Sequence, residues 1–138
     1  MWLLDNYETY IYSIQNLSPH IRASNLVLIR RGKLLAEVEG SILFDSGIVL
    51  EVKEQLNFHF PAFIYRYAYL VKKVSDILYW YDSQPHPNNS DLQSTHPHHK
   101  HIPPDIKHHR IPAPGLSFSE PNLTFLIREI ESQFFTKS

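Results

Sequence analysis

The feature that most constrains the fold is a run of strand-like segments between Ala23 and Asp82. Apolar, β-branched and aromatic residues dominate this run, and short turns at Gly32 and at Asp45-Ser-Gly47 interrupt it. Consecutive strands joined by turns this short pair in antiparallel fashion. The sequence therefore predicts a meander whose first strands are 26–30, 34–44 and 48–58.

A second hairpin is predicted from 62–71 and 77–82, with its turn around Val74. With the turn centred there, the register pairs residues of like kind: Tyr69 with Tyr79, Tyr67 with Tyr81, and the charged residues Arg66 and Asp82. Aromatic residues favour strands because they pack well there, and they also stack on nucleic-acid bases. The tyrosine-rich face is therefore either a packed face or a binding surface.

Helical spacing appears near both ends of the chain. Residues 2–17 place apolar side chains on one helical face: Leu3, Tyr7, Tyr10, Ile11, Ile14 and Leu17. Towards the other end, Ser119 can cap a helix with a buried face formed by Leu123, Ile127, Ile130 and Phe134. The predicted fold class is α+β, an antiparallel sheet of about five strands in a meander with an N-terminal and a C-terminal helix packed on it. The 138 residues fit one domain, 1–138.

The segment 83–114 differs from the rest of the chain in composition. It contains most of the ten prolines, and seven of the nine histidines lie between His86 and His109. Prolines at this density disfavour long strands and helices, and long loops inside compact domains are often functional. We therefore expect a His/Pro-rich loop at 83–114 that carries a polar, reactive site.

Three chemical interpretations of the histidines remain open. Because the chain lacks cysteine, a divalent metal would need ligands such as His96, His98, His99 and His101. Alternatively, histidines act as general acid and base while Lys100 and Arg66 stabilise the charge that develops on a phosphate during RNA cleavage. In the third interpretation the segment is simply polar and becomes more positive as the pH falls.

Composition limits the protein's location and partners. The formal net charge of -1 gives no overall electrostatic attraction to nucleic acid, although a local patch can still bind it. No run approaches the ~20 apolar residues of a membrane-spanning helix, and the start of the chain does not look like a signal peptide. We therefore expect a cytoplasmic protein with no membrane partner.

Four motifs carry a resemblance to a known family. In order they are Gly47-Ile-Val-Leu50-Glu-Val52-Lys-Glu54, Tyr65-Arg-Tyr67, Tyr79-Trp-Tyr81-Asp82-Ser-Gln-Pro-His86 and His96-Pro-His98-His99-Lys100-His101. This order resembles the TumE family of toxin components from bacterial toxin-antitoxin systems. The chain departs from the family pattern at Trp80, where arginine is usual, at Ser83, where asparagine is usual, and at Thr95-His96, which replace a phenylalanine.

The resemblance implies a growth-inhibiting toxin that a cognate antitoxin neutralises, with RNA or the ribosome as its target. Combined with the residue chemistry, it predicts a small endoribonuclease or translation inhibitor. The candidate catalytic residues are His86, His98, His99, His101, Lys100 and Asp82, and the candidate substrate-binding residues are Arg66, Tyr65, Tyr67, Tyr79, Tyr81 and Glu54. A non-enzymatic RNA- or protein-binding module and a histidine-ligated, metal-dependent hydrolase remain as alternatives, and the cofactor is either absent or a divalent metal.

Overall fold

Strands pair in nearly the same order as they occur in the chain. The computed structural model describes residues 1–83, 98–103, 110–113 and 115–135. Within those residues, eight strands form one antiparallel sheet. They are β1 (Ile21–Ser24), β2 (Val27–Arg30), β3 (Leu35–Phe44), β4 (Ile48–Asn57), β5 (Ile64–Lys73), β6 (Asp76–Asp82), β7 (His99–His101) and β8 (Arg110–Pro112). The sheet order is β1-β3-β4-β5-β6-β7-β8, and β2 also pairs with β3.

The helices lie before and after the sheet in the chain. Helix α1 spans Leu4–Tyr12 and continues as a 3₁₀ turn at Ile14–Leu17, while α2 spans Asn122–Ile130 and ends in a π turn at Glu131–Phe135. The predicted α+β class, antiparallel sheet and terminal helices are thus confirmed, but the count of about five strands was too low. None of the helices in the described part of the chain is long and apolar enough to span a membrane.

Two of the additional strands, β7 and β8, lie within the segment predicted as loop. Strand β7 has three residues and fits between Pro97 and Pro103, and β8 has three residues and ends at Pro112. Strands this short need few backbone donors, and an edge strand tolerates proline. The predicted His/Pro-rich loop at 83–114 is therefore corrected at these residues, which form two short strands.

The register of the β5–β6 hairpin differs from the predicted one by two residues. Tyr69 lies opposite Tyr81, and Asp82 lies opposite Ala68 rather than Arg66. The cause is a two-residue turn at Val74 and Ser75, followed by an irregularity at which β6 has one extra residue. A shift of two residues preserves the side-chain alternation, so the tyrosines still share one face.

Strands β1 and β2 occupy the same edge of β3, separated by Asn25 and Leu26. The backbone amide of Ser41 donates to the Asn25 side chain at 2.6 Å. Gly40 has φ +135°, and a Cβ at this position would lie 2.7 Å from the Asn25 carbonyl oxygen. The interruption of this edge therefore requires glycine at position 40.

Both helices pack on one face of the sheet, here called the inner face. Helix α1 buries Leu4, Tyr7 and Ile11, whereas Leu3, expected on the buried face, is 58% exposed. Helix α2 buries its apolar side: Leu123, Leu126, Ile127 and Ile130.

Ser119 is not the N-cap of α2, in contrast to the sequence prediction. The cap position is Pro121, and the Asn122 side chain accepts a hydrogen bond from the Ser117 amide at 2.8 Å. Ser117 in turn accepts from the Ser119 amide at 3.0 Å. The turn before α2 is thus held by Ser117 and Asn122.

The opposite side of the sheet, here called the outer face, carries the alternate residues of the same strands.

Candidate active site on the outer face

The centre of the candidate site is an Asp82–His101 pair at the end of β6. Strand β7 aligns His101 with Trp80 on β6, one alternation step away from Asp82 on the same face. His101 Nε2 lies 3.1 Å from Asp82 Oδ2, and the His101 side chain is only 4% exposed. The Trp80 ring stacks on the imidazole with ring centroids 4.2 Å apart. A carboxylate that accepts from one ring nitrogen fixes the orientation and tautomer of a histidine, which is an arrangement used for proton transfer.

A groove of about 610 Å³ lies beside this pair. It is lined by Lys53, Glu54, Gln55, Tyr65, Arg66, Tyr67, Ala68, Asp82 and Ser83. Asp82 also lines a second groove of about 590 Å³, which continues towards Trp80 and Leu70. The sheet brings these residues together because Lys53, Ala68 and Asp82 are aligned across β4, β5 and β6. The small Ala68 side chain leaves open space between the other two.

Two cations face this groove. Lys53 and Arg66 are both exposed, and neither forms an ion pair with an acidic group among the residues that the structure describes. Tyr65, beside Arg66, is 55% exposed, since it occupies an irregularity in the β4–β5 pairing and escapes burial. The groove thus combines positive charge, an accessible aromatic ring and the Asp82 carboxyl group, through which it borders the Asp82–His101 pair.

Three of the candidate tyrosines lie on the inner face. Tyr67, Tyr79 and Tyr81 are 2%, 4% and 3% exposed beneath the helices. Rings buried to this extent offer no surface on which a base can stack. Of the two interpretations left open for the tyrosine-rich face, the structure therefore shows the packed one.

His98 also contacts the inner face. Its Nδ1 lies 2.5 Å from the Tyr67 hydroxyl, and its ring packs against Phe118 with centroids 4.4 Å apart. Burial and the nearby Asp82 carboxylate raise the pKa of Tyr67. Because His98 contacts inner-face residues and His101 contacts Asp82 on the outer face, the sheet lies between the two histidines.

Lys100 points to the inner face as well, between its two histidine neighbours. Its Nζ lies 3.2 Å from Glu129 Oε2 on α2 and 4.3 Å from the centre of the Tyr79 ring. The Tyr81 hydroxyl donates to the same Glu129 oxygen at 2.7 Å, and burial together with that carboxylate raises the pKa of Tyr81. In this arrangement the Lys100 charge is directed to α2 and away from the groove.

Glu54 is a buried carboxyl group at 1% exposure, although its backbone borders the groove. It accepts hydrogen bonds from Tyr7 at 2.5 Å and from Tyr69. Asn122 donates to the Tyr69 hydroxyl at 3.1 Å. Burial raises the pKa of Glu54, and the two tyrosine hydrogen bonds partly oppose this shift.

The metal interpretation involves residues that are only partly described. His86 and His96 lie outside the described residues, as does the side chain of His99. Among the described residues, no group of three or more histidine, aspartate or glutamate side chains could hold a metal ion. His98 and His101 contact opposite faces of the sheet, so these two cannot ligate one ion in this arrangement.

Two of the three departures from the family pattern have defined contacts, and the third, Thr95-His96, lies outside the described residues. Trp80 covers the His101 ring, as described above. Ser83 accepts a hydrogen bond from the Tyr67 amide at 3.1 Å and thereby extends the β5–β6 pairing by one position. Both residues therefore support the geometry around Asp82.

Sequence reasoning missed Lys53, Gln55 and Glu129. Lys53 and Gln55 share a face of β4 by simple alternation, and this signal was present in the sequence. Their proximity to Arg66 needed the β4–β5 register, and the contact of Glu129 with Lys100 needed the position of α2.

Comparison with known proteins gives one result. A family model described as Toxin TumE matches residues 11–134, which is most of the chain. No curated protein matches, and no solved structure matches. The matched range includes every residue of the candidate site.

Proposed function

The chain belongs to the TumE toxin family, and from this premise we propose that it is an endoribonuclease toxin that cleaves RNA by acid–base catalysis on the outer face. Membership of a toxin family implies a cognate antitoxin as its partner. The observation that carries the proposal is the Asp82–His101 pair at 3.1 Å beside a groove that holds Arg66.

The proposed reaction uses the RNA's own nucleophile. The 2′-hydroxyl oxygen attacks the adjacent phosphorus, its proton passes to a base, and the bond from phosphorus to the 5′-oxygen breaks. The leaving oxygen takes a proton from an acid, which leaves a 2′,3′-cyclic phosphate and a 5′-hydroxyl. Such a reaction needs proton transfer and stabilisation of the phosphate charge, and it does not require a metal.

Each group in the site has a role in this scheme. Asp82 accepts from His101 Nε2, so that Nδ1 of His101 exchanges the proton. Arg66 stabilises the negative charge on the phosphate, the role that the family's usual arginine could have filled at Trp80. The second proton-transfer group comes from the predicted set in the histidine-rich segment, His86 or His99.

The remaining candidates act through the structure around the site. Lys100 and His98 hold β7 against α2 and against Tyr67, and Glu54 with Tyr69 fixes β4 against β5. We propose these as positioning residues, because their functional groups contact the inner face.

Mapping of RNA ends tests the proposal. The purified full-length protein is incubated with RNA, with and without added metal, and new 5′ ends are mapped by primer extension. His101→Gln and Asp82→Asn are expected to lower the cleavage rate by about 100-fold or more. His59→Gln is the matched control, because His59 is exposed and bonded to Asn57, and it should cleave at the wild-type rate.

The folded state of each variant is checked by thermal unfolding, since His101 is buried. Discrete ends that disappear in both site variants, with folding intact, support the proposal. Intact RNA with the wild-type protein, while translation is still inhibited in an extract, would overturn it and favour a non-enzymatic binding toxin.

A further inference from the structure

The groove contains a pair of cations on neighbouring strands. Gln55 is aligned with Arg66, and Lys53 is aligned with Ala68, so Lys53 and Arg66 are diagonal neighbours across β4 and β5. Diagonal neighbours lie within reach of each other for long side chains. Neither cation forms an ion pair with a carboxylate in the described part of the chain, although Glu39 on β3 is aligned with Lys53. Two cations at this spacing that are not held in ion pairs suit two oxygens or two successive phosphates of a polyanion.

An aromatic platform lies next to the cations. Tyr65 directly precedes Arg66, and its side chain is 55% exposed because the β4–β5 pairing skips it. The ring lines the same groove as Lys53 and Arg66. A base can stack on such a ring only when it is not stacked inside a duplex.

The rest of the molecule argues against a duplex ligand. The formal net charge is -1, and the outer face also carries acidic residues such as Glu39 and Glu51. Proteins that bind double-stranded RNA contact phosphates over a long surface. Here Lys53 and Arg66 lie side by side in one groove, which matches a short stretch of single strand.

We infer that this groove binds single-stranded RNA, with Lys53 and Arg66 on consecutive phosphates and Tyr65 stacked on a base. The inference rests on the proposed function and deepens it, because it names the form of RNA and adds Lys53 and Tyr65 to the site. Bound in this way, the phosphate at Arg66 lies on the side of the groove that Asp82 borders.

Binding to an uncleavable RNA tests the inference separately from catalysis. The probe is a single strand of about 12 nucleotides with 2′-O-methyl groups, which cannot supply the attacking hydroxyl. Affinity for the full-length protein is measured over a range of salt concentrations. The same strand annealed to its complement should bind about tenfold more weakly or worse, because its bases are not free to stack.

Substitutions identify the contacts. Lys53→Gln and Arg66→Gln should each weaken binding by about tenfold and lower the salt slope by about 0.7, the value for one phosphate contact on a single strand. Lys73→Gln, which removes the same charge at the far end of β5, should leave both quantities unchanged. Tyr65→Ala should weaken binding about tenfold, and Tyr65→Phe should restore it because the ring is retained.

The outcomes separate this inference from the proposed function. Cleavage that requires His101, together with unchanged affinity in all three groove variants, would overturn the inference and leave the endoribonuclease proposal standing. Specific single-strand binding without any cleavage would support the inference and overturn the catalytic proposal. If Lys53→Gln and Arg66→Gln abolish neutralisation by the antitoxin and leave RNA affinity unchanged, the groove belongs to an acidic protein segment and the inference is wrong.

Discussion

A carboxyl group buried where four elements meet is the most unusual single residue of the core. Glu54 on β4 contacts Tyr7 on α1 and Tyr69 on β5, and Tyr69 contacts Asn122 on α2. Burial disfavours the charged form of a carboxyl group, and this is why the pKa of Glu54 is raised. The polar network joins both helices to the sheet, but its stability depends on the protonation of Glu54.

The sign of the pH effect follows from linkage. Since the pKa of Glu54 is raised in the folded state, the folded protein holds this proton more strongly than the unfolded chain does. The stabilisation is fully present below the ordinary value of 4.5 and is lost as the pH rises through the folded-state pKa. Glutamine cannot ionise, so the Glu54→Gln variant should not show this loss. Its unfolding free energy should therefore rise relative to that of the wild type as the pH increases.

Urea unfolding measured between about pH 4 and pH 8 checks this prediction. Glu39→Gln is the control, because Glu39 is an exposed carboxylate on β3, and its profile should run parallel to that of the wild type. Parallel profiles for Glu54→Gln as well would show that Glu54 does not titrate differently in the folded state.

At the scale of elements, β7 connects the outer face to the helices. Its three residues alternate, so Lys100 reaches Glu129 on α2 while His101 reaches Asp82 on the outer face. Lys100 and Glu129 are only 14% and 18% exposed. Removing one partner of an ion pair shielded in this way lowers the stability of the protein, because the other charge is left shielded from water without its partner.

A double-mutant cycle measures this connection. Lys100→Met and Glu129→Gln should each destabilise the protein, and the double variant should lose less than the sum, with a coupling energy of about 1–2 kcal/mol. The exposed pair Arg31–Glu37, at 57% and 33% exposure, is the control, and its coupling should stay below about 0.5 kcal/mol. Additive losses at Lys100 and Glu129 would contradict the proposed role of this pair in holding β7.

The broken β1–β2 edge makes a second prediction at this scale. Gly40→Ala should lower the unfolding free energy by about 2 kcal/mol or more, because φ is positive and the new Cβ would collide with Asn25. Gly32→Ala should change it by less than about 0.5 kcal/mol, because the nearest atoms to that Cβ belong to Leu35 at 3.8 Å. Equal effects in chemical denaturation would show that the close approach of Asn25 does not require glycine.

For the whole molecule, strand-like composition and short turns predicted the antiparallel sheet, and helical spacing predicted both helices. It could not predict the two-residue shift of the β5–β6 hairpin, because the turn at Val74 and Ser75 carries no glycine or asparagine to mark it. The short strand β7 was not predicted, because the prolines on either side of it, Pro97 and Pro103, indicated a loop.

The candidate site was predicted only in part, because its assembly also depends on strand positions and register. The sequence identified Asp82, His101 and Arg66, which the structure places on one face. It could not separate them from His98 and Lys100, because neighbours in a strand point to opposite faces only once the strand is known. The place of Lys53 in the groove could be seen only once the register between β4 and β5 was known.

The chemistry of the RNA ends tests the central claim most directly. RNA is incubated with the purified protein in excess chelator, and the ends at each cleavage site are identified by mass spectrometry. The proposed mechanism predicts 2′,3′-cyclic phosphates and 5′-hydroxyls, absent with His101→Gln and unchanged with His59→Gln. Ends with 3′-hydroxyls and 5′-phosphates that form only with divalent metal, or RNA that stays intact under all conditions, would contradict it.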